Sequence, residues 1–135
     1  MQKIWCSKLK ENQVKVLTEK WLKNLGLTVI KEFEVTGTNG DLVLDFFAHG
    51  KINGRNYVVS VECKGDVSLS QLLEGFIRTK LAVFNMSCMG FLAIPHKAVQ
   101  KLLKYKNFLG HIAKDVMLYD VERNCTIEID PSPDS

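Results

Sequence analysis

The sequence predicts an α/β domain, a mixed central sheet with an α-β-β-β-α-β core and flanking helices. Three observations lead there. Two apolar runs, L-V-L-D-F-F-A and Y-V-V-S-V-E-C-K, flank the turn I-N-G-R, and Asn53-Gly54 is a strong hairpin signal because both central residues of a type I′ turn need positive φ. The run C-M-G-F-L-A-I at 88–94 is apolar almost throughout, as expected of a strand covered on both faces. Between hairpin and run lies a helical segment, and a crossover of that kind puts helices on the sheet faces.

Residues 8–25 place Val14, Leu17, Trp21, Leu22 and Leu25 at helical spacing, with Gly26 as the stop. The β-branched stretch L-T-V-I-K-E-F-E-V predicts a strand over 27–35, T-G-T-N-G a loop, and the hairpin strands fall near 41–48 and 56–64. S-L-S-Q at 68–71 is a capping-box pattern opening a helix to about residue 84. Pro95 closes the 88–94 strand, a helix spans about 96–107, 115–121 is a last core strand and 126–129 a short edge strand. The 135 residues suit one domain over 1–130, with P-S-P-D-S at 131–135 as a disordered tail.

Composition excludes several classes. With 46% hydrophobic and 24% charged residues the chain is globular rather than disordered. No apolar run approaches a membrane span, and the start is too polar for a secretory signal, so no membrane partner and a cytoplasmic location are expected. Cys6, Cys63, Cys88 and Cys125 form no C-x-x-C pair, which speaks against zinc or a disulfide framework. Cys63 and Cys88 are expected in packing, and the scattered His49, His96 and His111 accompany no nucleophile. Residues 1–114 carry 17 Lys/Arg against 9 acids, +8, and 115–135 one Arg against 6 acids, −5. A basic body suits a polyanionic partner, though a lysine-rich surface is usually only solvated.

The hairpin holds the chemistry. With Asn53 and Gly54 as turn residues, Ile52 pairs with Arg55 and Asp45 lies opposite Glu62. Period-two alternation puts Lys64 on the same face. Like charges directly opposite each other cost about 0.2–1 kcal/mol when exposed and more when buried. Lys64 offsets one carboxylate, and a hard divalent cation can offset the rest, since Mg²⁺ prefers carboxylate oxygens. An ordinary salt-bridged sheet edge fits the same three residues. Asp41, after Gly40, is the competing acid, but in this register it faces Asp66, beyond the cluster.

The element order, Asp45 on the second strand and Glu62-Cys63-Lys64 on the third resemble the PD-(D/E)XK nuclease superfamily, the restriction-endonuclease-like fold. E-K-W-L-K-N-L-G-L-T-V-I, from Glu19, looks like that family's first-helix segment, and the resemblance covers roughly residues 8–95. Leu44 stands where the family has a proline before the acid. Archaeal Holliday-junction resolvases and small restriction-like nucleases are nearest in size. The resemblance implies that Asp45, Glu62 and the Cys63 backbone carbonyl ligate Mg²⁺ or Mn²⁺, that Glu19 joins them directly or through water, and that Lys64 orients water or stabilises transition-state charge. Glu19, Asp45, Glu62 and Lys64 would then be the catalytic set of a metal-dependent DNA endonuclease, selective for junction or branched DNA and acting as a homodimer. The alternative is an inactive nuclease-fold module that binds nucleic acid or a protein, and a weaker one is an RNA-processing enzyme. Glu19 lies among Lys15, Lys20 and Lys23, where a surface i,i+4 ion pair explains it equally. Gln71, Arg78, Lys97, Lys101 and Lys104 are candidate nucleic-acid contacts, with capping for Gln71 and a solvated face for the lysines as the plainer readings; Lys80 is a similar candidate, and Trp5 and Tyr105 are candidate base-stackers.

Overall fold

A computed structural model describes residues 9–130, so Trp5, Cys6 and the 131–135 tail lie outside the described residues. Ten elements follow one another: α1 (Glu11–Asn24), β1 (Thr28–Glu34), β2 (Val43–Ile52), β3 (Arg55–Cys63), α2 (Leu69–Met86), β4 (Met89–Ile94), α3 (His96–Leu103), α4 (Lys106–Leu109), β5 (Val116–Asp120) and β6 (Cys125–Glu128). The strands form one six-stranded sheet in sequence order. β1, β2 and β3 pair antiparallel, β3, β4 and β5 parallel, and β6 returns antiparallel to β5. The expected mixed α/β sheet with flanking helices is what forms.

Local chemistry explains the element ends. Asn53 (φ 53°) and Gly54 (φ 83°) both sit at positive φ, and Ile52 pairs with Arg55 as the turn demands. Gly26, at φ 90°, stops α1, and the Gln13 side chain caps the Lys10 amide at its start (2.8 Å). At α2 the Ser68 hydroxyl accepts from the Gln71 amide while the Gln71 side chain accepts from the Ser68 amide, the reciprocal box that the sequence announces. The helix expected over 96–107 is instead two pieces, α3 and α4, broken at Tyr105 (φ −110°, ψ 21°).

The sheet is sandwiched between helix layers. Phe46, Ala48, Val59, Val61, Cys63, Phe91 and Ala93 face α1, where Val14 and Leu22 are fully buried and Trp21 stacks on Tyr119 (3.8 Å between centroids). Leu92 and Ile94, of opposite parity on β4, face Leu72 and Phe76 of α2 and Ala98, Val99 and Leu102 of α3. Cys88, expected in the core, is half-buried where α2 ends.

The parallel strands β3, β4 and β5 end together at one end of the sheet. There the Lys64 amide donates to the Ala93 carbonyl (3.0 Å) and the Asp66 amide to the Leu9 carbonyl (3.0 Å). Asp120, fully buried at the end of β5, holds His96 Nδ1 at 2.7 Å and accepts the Glu122 and Arg123 amides, which fixes the start of α3. Among the described residues, no helix is long and apolar enough to cross a membrane.

Two glycines let α2 lie close to the sheet. A Cβ on Gly75 would meet Leu92 Cδ1 at 2.7 Å, and one on Gly90 would meet Val83 Cγ2 at 2.6 Å and Thr79 Cγ2 at 2.8 Å. Thr79 is fully buried and has nowhere to retreat. Gly90→Ala is therefore expected to destabilise the fold by about 1–3 kcal/mol through overpacking. Urea unfolding checks this, with an unchanged midpoint as the contrary result.

Candidate active site

Asp45 lies where the sheet's main-chain ladder is interrupted on both sides. Toward β1, pairing skips from Lys31↔Phe46 to Phe33↔Leu44, and the skipped Glu32 sits at φ 51°, a left-handed conformation costly for a side-chain-bearing residue. Toward β3, paired backbone ends at Phe46↔Val61, and the next rung is made by side chains. The Asp45 amide donates to Glu62 Oε1 (3.0 Å), and the Cys63 amide donates to Asp45 Oδ2 (2.7 Å). Each acid thus supplies a side-chain acceptor to a main-chain amide of the strand opposite, and with the acids ionised both bonds are charge-assisted. The register derived from Asn53-Gly54 holds up to this rung.

The free carboxylate oxygens are taken by cations from the two flanking helices. Arg78 of α2 places Nε 2.6 Å from Glu62 Oε2 and Nη2 2.6 Å from the Val43 carbonyl, so its fork spans β3 and β2. Lys15 of α1 lies 3.3 Å from Asp45 Oδ1 and 3.4 Å from Glu11. Lys64 is not on either acid. Its ammonium meets Glu74 of α2 at 2.8 Å, four residues before Arg78 on the same helix. Lys64, expected to offset one of the two carboxylates, is thus paired elsewhere, and Lys15 and Arg78 stand on the acids instead.

The electrostatics follow from burial. The Glu62 side chain is 6% exposed. Burial first, then the charge of Asp45, push its pKa up to about 7, against the opposing pull of Arg78 and the Asp45 amide. Burial disfavours the charge on Lys15 and Arg78, yet their carboxylate partners win and raise both. Burial holds the Cys63 thiol well above its usual range, so Cys63 offers the site main chain rather than a thiolate.

The other sequence candidates fall into three groups. Glu19 lines one small cleft of about 160 Å³ with Lys15, Lys31, Glu32 and Asp45, but its carboxylate is paired with Lys23 (2.8 Å) and Lys31 (3.2 Å), and hydrogen bonds from these two lower its pKa. Asp41 belongs to an exposed turn, its amide on the Thr38 carbonyl, outside the β2–β3 pairing. Gln71 is engaged in its cap, Lys80 donates to the His111 and Ile112 carbonyls, and Lys101 turns inward to the Val67 carbonyl (2.8 Å), 3.9 Å from Asp66. Of the lysine stripe, Lys97 and Lys104 remain exposed, as does Tyr105.

Divalent-metal binding can be tested against the donors present. Among the described residues, no three His, Cys, Asp or Glu side chains cluster closely enough to hold an ion. Two carboxylates do meet, and Mg²⁺ is usually held by one or two carboxylates, with water and substrate phosphate completing its shell. In an extended strand the N–H and C=O of one residue leave the same edge, so the Cys63 carbonyl, like its amide, leaves β3 on the β2 side. The donor set of Asp45, Glu62 and the Cys63 carbonyl fits a hard cation, provided that Lys15 and Arg78 give way.

No protein-family model and no curated protein sequence matches the chain. Among solved structures it is similar to an XisH family protein from Nostoc punctiforme, with a TM-score of 0.55 and 16% identity, over 84% of this chain and 95% of that one. At that identity the likeness shows a shared α/β fold.

A pH titration isolates the charge conflict. Folded Glu62 titrates near 7 against its ordinary 4.5, so between these values the folded chain holds a proton that the unfolded chain lacks. Stability attached to this group is full below pH 4.5 and is lost as pH rises through 7. Glu62→Gln is thus expected to stabilise the EDTA-treated protein by about 1–3 kcal/mol at alkaline pH, and the gain should vanish on acidification. Denaturation of both proteins across pH reads this, and a difference that does not vary with pH contradicts it.

Proposed function

We propose that the chain is a divalent-metal-dependent endonuclease of the restriction-endonuclease-like class, hydrolysing phosphodiester bonds in DNA. The observation carrying this is the mutual side-chain rung of Asp45 and Glu62, two acids brought together where the β2–β3 pairing ends, with Lys64 two residues after Glu62. In this reading Asp45, Glu62 and the Cys63 carbonyl hold Mg²⁺ or Mn²⁺, and Glu19 reaches the ion through water across the cleft it shares with Asp45. Bound there, the ion supplies a Lewis acid for a phosphoryl oxygen and a lowered pKa for its water.

The chain's own residues do the rest. Lys64, held along Gly75 of α2, sits just past the end of β3 and leaves Glu74 to orient the attacking water or to stabilise charge on the phosphoryl oxygens. Burial of Glu62 keeps water from competing for its oxygens. The exposed Lys97 and Lys104, with the positive excess of residues 1–114, supply phosphate contacts and a steep salt dependence. Branched or junction DNA is the proposed substrate and a cytoplasmic location its setting. The exposed row of Ile77, Leu81 and Phe84 on α2 is the face a two-fold homodimer would bury. Sedimentation of the free and DNA-bound protein tests the dimer, which a monomer under both conditions rules out.

One observation favours the non-catalytic alternative: Lys15 and Arg78 already neutralise both acids. A module that only binds nucleic acid or a protein would show the same closed charge balance. Cleavage of labelled linear, flapped and four-way-junction DNA with Mg²⁺, Mn²⁺ or EDTA separates the two. A nuclease should cut with metal alone, and Glu62→Gln or Lys64→Ala should lower the rate by about 10²–10³-fold. Metal-independent binding without cutting would establish the module instead.

A further inference from the structure

Helix α2 presents two charged residues to the motif one helical turn apart: Glu74 on Lys64 at 2.8 Å and Arg78 on Glu62 at 2.6 Å. From the other side α1 presents Lys15 to Asp45. Every charge in the motif is therefore held by a side chain of opposite sign from a helix. The holders differ in commitment. Glu62, 6% exposed, cannot move away without opening the sheet, whereas Arg78 and Lys15 are 32% and 34% exposed and reach solvent easily. Glu74, 63% exposed, is freer still.

Resting on the nuclease reading, we propose that Arg78 and Lys15 are positioning residues that stand in for the divalent cation in the free protein and pass to substrate phosphate when the cation binds, so that cation and nucleic acid bind cooperatively. The chemistry requires an exchange. A cation on Asp45 and Glu62 repels the guanidinium and ammonium already there. Released from those oxygens, Arg78 loses its paired carboxylate and Lys15 keeps only Glu11, and a phosphodiester drawn to the ion supplies an anion within their reach. The same phosphate attracts Lys64 and repels Glu74, which loosens that pair. Arg78 keeps one tether during the exchange, its Nη2 bond to the Val43 carbonyl, which holds the guanidinium beside the site. Neither ligand alone undoes the whole set of pairs, because the cation leaves Arg78 without its carboxylate and Lys15 with Glu11 alone, and the phosphate leaves two acids uncompensated.

The test is Mn²⁺ binding, followed by the electron paramagnetic resonance of the free ion, with and without a short DNA duplex. Cut or uncut, the duplex presents its phosphates. Wild-type protein is expected to bind Mn²⁺ about tenfold more tightly with duplex present. Arg78→Ala should bind Mn²⁺ more tightly than wild type without duplex and should lose most of the gain with it. A merely structural arginine predicts the reverse, a loosened site with weaker binding. Arg78→Lys, which keeps the charge, should restore the coupling in part. Lys15→Ala, at a part-exposed position of α1, makes the same comparison should the Arg78 variants fold poorly. Unchanged or weaker Mn²⁺ binding in both alanine variants, or coupling that survives in them, overturns the proposal. Gel assay of the same samples separates the two ideas: coupled binding with an uncut duplex sinks the nuclease and leaves the exchange standing.

Discussion

The rest of the site depends on one rung of the sheet, in which Asp45 and Glu62 exchange side-chain oxygens for main-chain ones. In a regular antiparallel ladder these two would be a non-hydrogen-bonded pair between the bonded pairs Phe46–Val61 and Leu44–Cys63. Instead the Asp45 amide goes to Glu62 and the Cys63 amide to Asp45, so the strands are held together by the groups that make the site acidic. Position and charge are thereby locked to each other. Neither carboxylate can rotate away without leaving an amide unpaired in a partly buried place, which costs about 1–3 kcal/mol. The rung also interrupts the β1 side, where Glu32 takes a left-handed φ across from Asp45.

Such a rung creates a debt in charge that the helices settle. Two carboxylates beside each other, one of them nearly inaccessible, repel, and burial pushes Glu62 toward its neutral form. Positive side chains from both layers answer: Lys15 from α1 and Arg78 from α2. A pair of well-packed apolar residues would be at least as stable, since buried ion pairs seldom repay their desolvation. What the acids add is a set of hard oxygen donors, fixed by hydrogen bonds on one side and faced by part-exposed cationic side chains on the other.

Much of this was legible in the sequence because it is set by local rules. Asn53-Gly54 fixes the turn, the turn fixes the register, and the register puts Asp45 across from Glu62. Ser68 and Gln71 announce the start of α2 in the same way. The partners of the acids were not legible. Lys15, Glu74 and Arg78 reach the site through the rotation of α1 and α2 against the sheet, which depends on packing such as the close approach at Gly75 and Gly90. The spacing of Glu74 and Arg78, one turn apart just after the hairpin, was the available hint. Nothing between 96 and 107, where neither glycine nor proline occurs, marked the break at Tyr105. The inward turn of Lys101 and the burial of Asp120 beneath His96 are likewise set by tertiary contacts.

The most direct test of a metal site at this rung is a crystal of the wild-type protein grown with Mn²⁺ and nucleic acid, measured at the manganese absorption edge. An anomalous peak about 2.0–2.5 Å from oxygens of both Asp45 and Glu62 is the predicted result. A peak elsewhere, or Arg78 still on Glu62 with no ion beside it at saturating Mn²⁺, would contradict the assignment of these acids as ligands.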